Sequence, residues 1–490
     1  MHCQLHLNKF CLLCQWPPRQ DSLRTDANDE ASVVQSLKDQ LARSEAEAAL
    51  RHRSSHEAAN AFHLKSREAA LEAEVARAQR VADQMQQNLS KEAALVINTH
   101  ALPPAVHWGS AAKEALPAAI KKLQCSRAFL MVSGTLRSEG GAVDEIVDAL
   151  GEMCVGVWHG MPAHTPRDAV LDAAQEAKKA NADVIVTIGG GSLTDGAKVV
   201  RIALETGVTD GESLGQYCLK GDIAAVKDTK LIPQVSVPST LSAGEFAPYA
   251  GCTDPSTKVK ETYVWLDALP KAIVLDPCLV QLTPEWLFLS TGLRSVDHCV
   301  ECLCSLSGNP YSDGLASAAL TLLVRGLRGV KKNPTDQDAR TDCQLGIFQA
   351  VQACQSGPQM GASHAIGHIL GPAFDVPHGY TSCVALPAVL RWNAEDADSL
   401  KRQELVVSAF QSAGVKKSSA ADCVAGLVTD LGLPLSMADV GVATTDLEDC
   451  ARRTMNDPLV QTNPRKINGW EDVKSILELC GPFAEPEKAA

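Results

Sequence analysis

Ala182-Asp-Val-Ile-Val-Thr-Ile188-Gly-Gly-Gly191-Ser-Leu-Thr-Asp195-Gly-Ala-Lys198-Val-Val-Arg-Ile-Ala-Leu204 is the stretch that decides the fold. It opens with a short apolar, β-branched run of strand length. Three glycines and Ser192 follow, and Leu193 to Leu204 read as a helix. Glycine lets a backbone approach a ligand closely and adopt positive φ. Ser192 is placed to cap the helix. A helix N-terminus offers unpaired N–H groups and a positive dipole end to phosphate. The spacing is not the usual dinucleotide fingerprint, with Gly at the first, third and sixth positions. Strand, triple glycine, serine and helix in this order nevertheless make Gly189, Gly190, Gly191 and Ser192 a candidate pyrophosphate cradle.

On either side the same alternation continues. Arg127–Ser133, Leu231–Val237 and Lys271–Asp276 read as buried strands, and Pro166–Ala180 as a helix. Strands alternating with helices imply a parallel sheet covered on both faces. After about Thr283 the strand signal fades and helical patterns run to the end. The fold class is therefore α/β, a nucleotide-binding domain with a parallel sheet over 99–282, followed by an all-α domain over 283–485. A ligand is expected in the cleft between them. The strand Leu231–Val237 leads into a second candidate loop, Pro238-Ser-Thr-Leu-Ser-Ala-Gly-Glu245. Its hydroxyl residues Ser239, Thr240 and Ser242 suit nucleotide contacts at a strand's carboxyl end. An ordinary capped turn would read the same way.

The chain has 490 residues and a formal net charge of −13, which argues against general nucleic-acid binding. No apolar run is long enough to span a bilayer, and residues 1–18 lack a signal-peptide pattern, so a cytoplasmic location is expected. The 17 cysteines then read as reduced, mostly buried thiols. Residues 1–30 read as a disordered leader. Cys3, Cys11 and Cys14 there match no standard zinc spacing. Residues 31–98 are rich in Ala, Glu, Arg and Gln. Leu71, Val75, Ala78, Ala82, Met85 and Leu89 alternate steps of four and three, the spacing of a coiled-coil seam. A long helix is expected there, either solitary or helping a homodimer to form.

The chemistry concentrates in Gly361-Ala-Ser-His364-Ala-Ile-Gly-His368-Ile-Leu-Gly-Pro372-Ala-Phe-Asp-Val-Pro-His378-Gly379. His364 and His368 share a helix face, Gly371-Pro372 ends that helix, and Pro377-His378-Gly379 turns a third imidazole back. A fourth, His298, lies in Gly292-Leu-Arg294-Ser-Val-Asp297-His298-Cys-Val-Glu301. Imidazoles serve as metal ligands and as neutral-pH proton shuttles. One buried histidine is usually just a hydrogen-bonded core residue; four in two motifs point to a site.

Together these motifs resemble the iron-type alcohol dehydrogenase family, and within it the maleylacetate reductase branch. The likeness covers residues 102–481. Gly189 to Lys198 is similar to the family's pyrophosphate turn, including Asp195. His159-Gly-Met-Pro-Ala-His164-Thr-Pro166, Pro238 to Phe246, the His364-to-His378 run and Asn463-Pro464 match further family segments. The resemblance implies hydride transfer between a nicotinamide, NADH or NADPH, and a carbonyl or alcohol. It makes His298, His364 and His378 the three histidine ligands of a divalent metal, iron or zinc. His368 matches a non-ligating histidine near the substrate. The family's metal-binding aspartate is replaced by Arg294, four residues before His298. A guanidinium stays charged and cannot ligate a cation. The resemblance therefore implies a site that does not require the usual iron, although three neutral imidazoles can still hold Zn²⁺. Arg294, His364 and His378 bind an anionic small-molecule substrate there, and His368, with His298 and Arg294, supplies catalysis. Maleylacetate, reduced to 3-oxoadipate in aromatic-compound catabolism, suits such a site. Arg294 paired with Asp297 or Glu301 is the competing structural reading. After the first strand, Ser133-Gly-Thr-Leu-Arg137 carries no carboxylate to hold a ribose 2′-hydroxyl, and Arg137 is near, so NADPH use is open. Competing functions are a metal-dependent alcohol dehydrogenase, a dehydroquinate synthase-like lyase, and an assembly module led by the N-terminal helix.

Overall fold

The computed structural model describes residues 105–138, 141–219 and 229–483, with a few helical residues between 35 and 43. The leader and the seam from Leu71 to Leu89 lie outside the described residues.

Six strands form one parallel sheet. They are β1 (Ala105–Trp108), β2 (Ala128–Val132), β3 (Cys154–Trp158), β4 (Val184–Gly189), β5 (Gln234–Pro238) and, after a two-stranded excursion, β8 (Ala272–Leu275). Their spatial order is β1-β8-β5-β4-β2-β3. The excursion is an antiparallel hairpin of β6 (Tyr249–Asp254) and β7 (Val259–Val264). Residues on one strand alternate between two cores, as the period-2 geometry requires. Phe129 and Met131 of β2 face helices α3 (Arg167–Lys179) and α4 (Gly191–Thr206). Ala128, Leu130 and Val132 face α1 (Ala112–Lys122) and α2 (Ala142–Leu150). The sheet is thus covered on both faces, as its continuous apolar strands foretold.

No strand follows Leu275 among the described residues. Helices α5 (Glu285–Cys304), α6 (Pro310–Lys332), α7 (Gln337–Cys354), α8 (Ala362–Phe374), α9 (His378–Asn393), α10 (Ala397–Ser412) and α11 (Ala420–Leu431) succeed one another. Two further helices, α12 (Leu447–Thr454) and α13 (Trp470–Glu478), close the body. The central element is α5, buried almost without interruption from Phe288 to Cys304. No helix is long and apolar enough to cross a membrane among the described residues.

Two expectations about helix ends fail. Pro372 does not end α8, which continues to Phe374 and stops at Asp375 with left-handed φ of 56°. His378 is not in a free turn; it is the first residue of α9, with Pro377 before it. Proline has no N–H to give the carbonyl four residues back, His368 O, so α8 forgoes that bond and still runs two residues further.

Arg201 shows how the hairpin and sheet are joined. Its guanidinium is fully buried and donates to Ala268 O at 2.8 Å and Asp267 O at 2.7 Å, while Nε donates to Ile232 O at 2.5 Å. Arg201→Met would orphan three buried carbonyls. A loss of about 3 kcal/mol is expected. Denaturant unfolding of the two proteins checks this, and equal midpoints would refute it.

Candidate active site

The loops after β2, β4 and β5 meet at the carboxyl edge of the sheet. Ser133 N donates to Ile188 O at 2.9 Å, and Ser239 N to Gly189 O at 2.9 Å. Close packing explains the glycines. A Cβ on Gly190 would lie 3.2 Å from Thr240, and one on Gly191 3.1 Å from Ser242. Positive φ does not explain them, since none of the three adopts it. Ser192 is not the cap either. Gly190 occupies the N-cap with no side-chain bond, so the first N–H groups of α4 have no side-chain acceptor. Thr240 and Ser242 hydroxyls sit 2.8 Å apart beside them. Gly189–Ser192, Ser239, Thr240 and Ser242 therefore form one polar cradle at a helix N-terminus, suited to phosphate.

Asp195 acts from behind it. Its carboxylate accepts from Gly251 N at 3.0 Å and from Lys198 Nζ at 3.2 Å. The buried Lys198 also donates to Gly244 O and Tyr249 O at 2.6 and 2.7 Å. This pair pins the β6–β7 hairpin to α4. Thr165, in the segment 159–166, donates to Ser192 O at 2.9 Å and steadies the same turn. Arg137, a candidate for a 2′-phosphate, is paired with Asp144 on the surface.

The second half of the site is a polar stripe on α5. Arg294, Asp297, His298 and Glu301 recur at i, i+3, i+4 and i+7, one face of a buried helix. The face turns toward α8 and α9. Arg294 Nη1 donates to Ser382 Oγ at 2.9 Å and to Asp297 Oδ2 at 3.3 Å. Asp297 Oδ2 also accepts from Ser382 and Ser363 hydroxyls at 2.6 and 2.8 Å. Glu301 accepts from the N–H groups of Gly361 and Ser363, both at 3.0 Å, and from His364 Nδ1 at 2.6 Å.

The structure brings all four imidazoles to this face. The His298 and His364 rings are 4.9 Å apart, and those of His364 and His368 are 6.4 Å apart. His378 is near enough for Arg294 to depress its proton affinity well below the usual histidine range, with burial adding to this. Burial, reinforced by His364 and Arg294, does the same to His298. Burial, then Arg294, pushes His364 down to about 3. His364 is thus a neutral imidazole that gives its Nδ1 proton to Glu301. Its Nε2, buried and without a partner, is an acceptor. His298 Nδ1 is also buried and unpartnered. His368 differs, being half-exposed, with Nδ1 2.8 Å from Asp457 Oδ2. Asp457 fixes its ring, and Nε2 makes no hydrogen bond among the described residues.

Asp457, Ser363 and Ser382 were not singled out from the sequence. No local spacing marks them, because each meets the site through the tertiary fold. Asn463 could be found only by resemblance. Its Oδ1 accepts from Ala362 N at 3.2 Å and so caps α8.

A divalent ion fits poorly here. The ligand atoms of Asp297, Glu301 and His364 lie within 4.8 Å of one another. Glu301, however, already receives three N–H donors, and Asp297 Oδ2 holds two hydroxyls and Arg294, which leaves only Asp297 Oδ1 unpartnered. The charge of Arg294 is felt at His298, His364 and His378 alike. A cation among these three imidazoles would face a buried guanidinium.

A family model described as iron-containing alcohol dehydrogenase matches residues 103–277. The C-terminal model of the Fe-containing alcohol dehydrogenase family matches residues 288–480. The chain belongs to that family. Within it, relatives include maleylacetate reductase 1 of Rhodococcus opacus, 30% identical over 365 residues, covering 74% of this chain and 91% of that protein. A 1,3-propanediol dehydrogenase of Citrobacter freundii is 31% identical over 363 residues, covering 72% and 90%. Among solved structures, one of a putative alcohol dehydrogenase from Ralstonia eutropha JMP134 matches with a TM-score of 0.65 at 27% identity, covering 78% of this chain and 96% of that one.

The depressed His364 has a thermodynamic consequence. Below about pH 6.5 the unfolded chain takes up a proton that folded His364 refuses. The unfolded state then binds more protons, so stability falls as pH falls, by roughly 1.4 kcal/mol per unit between about pH 6.5 and the folded value. Asp297 and Glu301, pushed up by burial, act in the opposite sense. Comparing wild type with His364→Gln subtracts them. The wild type is expected to lose more stability than the variant between pH 7 and 5, by about 2 kcal/mol in denaturant titrations. Parallel curves would show that His364 titrates normally.

Proposed function

We propose that this chain is a nicotinamide-dependent reductase of an anionic carbonyl compound, and that the substrate is maleylacetate, converted to 3-oxoadipate. The observation that carries this reading is Arg294. Its guanidinium is buried at the centre of the histidine cluster and spends only Nη1 on Asp297 and Ser382. The Nε–Nη2 edge makes no hydrogen bond among the described residues, and an arginine edge of that kind binds a carboxylate through two parallel bonds.

The bound reduced nicotinamide would supply the hydride. Because 3-oxoadipate keeps a ketone, the two hydrogens enter at the conjugated carbon–carbon bond. The negative charge that develops rests on the ketone oxygen as an enolate. The chain's own groups serve that charge. Arg294 orients a carboxylate and makes the local potential more positive, in a site where few waters compete. His364, neutral with Nδ1 bonded to Glu301, offers an acceptor at Nε2. His368, steadied by Asp457, holds the proton needed at carbon when the enolate collapses. His298 and His378 complete the wall against the substrate. The cradle at Gly189–Ser192 and Ser239–Ser242 takes the cofactor pyrophosphate; NADH and NADPH both remain candidates.

One feature favours a second reading, a metal-dependent alcohol dehydrogenase. His364 Nε2 is unpartnered and its Nδ1 is held by a carboxylate, the arrangement of a metal-binding histidine. The two readings separate in one assay of NADH and NADPH oxidation, with maleylacetate or simple aldehydes, with and without a chelator. Turnover of maleylacetate that survives chelation supports the proposal; turnover that needs stoichiometric iron or zinc overturns it. Arg294→Met is expected to lower kcat/KM for maleylacetate by about a hundredfold or more while aldehyde turnover changes little. An equal loss for both substrates would mean that Arg294 only braces α5. A lyase would show no net consumption of the nicotinamide.

A further inference from the structure

One turn along α5 from His298, Cys302 and Cys354 approach with Sγ–Sγ at 3.1 Å. Cys302 lies on α5 and is fully buried. Cys354 is the last residue of α7 and is partly accessible. Its sulfur also lies 3.9 Å from the His298 carbonyl. Neither thiol is used by the proposed reaction.

We propose that Cys302 and Cys354 are an oxidative modification site, a dithiol that a hydroperoxide converts to a disulfide and that thereby slows the enzyme. The step balances. The accessible Cys354 sulfur attacks the peroxide O–O bond, giving a sulfenic acid and releasing an alcohol or water. The Cys302 sulfur then attacks the Cys354 sulfur, the S–S bond forms and water leaves. Two electrons and two protons pass from the thiols to the peroxide. A thiol reductant reverses it by exchange.

Geometry supplies both the selectivity and the effect. A disulfide needs its sulfurs at about 2.05 Å, so closure moves them by roughly 1 Å from where they stand. The movement is shared by the C-terminal end of α7 and the turn of α5 that carries His298 and, one turn earlier, Arg294. Displacements of about 1 Å at a reacting centre can cost about a hundredfold in rate. The end of α7 also leads through Gln355–Met360 into α8, which carries His364 and His368. One bond thus pulls on both halves of the histidine cluster. The remaining described cysteines are free, and most are buried.

The test treats the full-length protein with tert-butyl hydroperoxide and follows nicotinamide-dependent turnover, intact mass and peptide maps. The wild type is expected to lose about 2 Da, to yield a Cys302–Cys354 cross-linked peptide and to fall at least about tenfold in turnover, all reversed by dithiothreitol. Cys302→Ser and Cys354→Ser are expected to keep untreated turnover and to resist the loss. Should Cys302→Ser fold poorly, Cys354→Ser, at the more accessible position, answers the same question. Oxidation of Cys354 to the sulfinic acid without the cross-link, or an equal loss of turnover in both variants, would overturn the proposal. If the protein turned over neither maleylacetate nor aldehydes, the cross-link and mass would still be read, so failure of the substrate assignment stays separate.

Discussion

The structure depends on how a buried helix tolerates charge. α5 runs through the middle of the helical half with apolar residues on most of its circumference. Burying Arg294, Asp297 and Glu301 without partners would cost several kcal/mol per group. The fold meets this by bringing α8 and α9 against the polar stripe, so that Ser363, Ser382, His364 and the N-terminal N–H groups of α8 become the partners. Close approach is required. A Cβ on Gly379 would stand 2.6 Å from the Ser290 hydroxyl, so α9 can meet α5 there only as glycine. Compensation of the stripe and assembly of the histidine cluster are therefore the same event.

The nucleotide side follows a different logic. There the constraint is space rather than charge. Gly190 and Gly191 admit Thr240 and Ser242 from the next strand's loop, and the helix N-terminus is left without a side-chain cap. An uncapped helix start is a cost in an isolated helix. It becomes an advantage when a phosphate is to take the place of the cap. Asp195 and Lys198 bond to the hairpin, so the motif that supplies the cradle also holds β6 and β7 in place.

Much of this was legible in the sequence, for a physical reason in each case. The strands β2, β4, β5 and β8 are short, buried and mostly apolar, and their length, β-branched residues and flanking turn residues separate them from buried helix. β1 and β3 are edge strands with exposed or mixed residues, and the hairpin Tyr249–Val264 is polar on one face, so neither carried a signal above background. The four histidines were legible because they lie in two local motifs. Asp457 was not, since it reaches His368 across 89 residues of chain. The capping role given to Ser192 failed because Gly190 holds the N-cap backbone angles, which leaves the serine as the second residue of the helix. The ending assigned to Pro372 failed because a proline removes only the bond to the carbonyl four residues back, and its fixed φ is otherwise compatible with the last turn of α8.

A single position inverts the electrostatics of the site. With a carboxylate four residues before His298, the three imidazoles would surround a place of negative potential and receive a cation. With Arg294 there, a divalent ion about 4 Å away would meet roughly 8 kcal/mol of repulsion at an effective dielectric near 20. Asp297 offsets part of this, but it does so by bonding to the same guanidinium, which fixes the positive charge in place rather than removing it. Glu301 holds the His364 ring and Asp457 the His368 ring without any ion. The positions of these two imidazoles therefore do not depend on a bound cation. In the proposed reading, what changes is the charge the cleft attracts, and the edge of Arg294 left unbonded would turn that attraction toward a carboxylate.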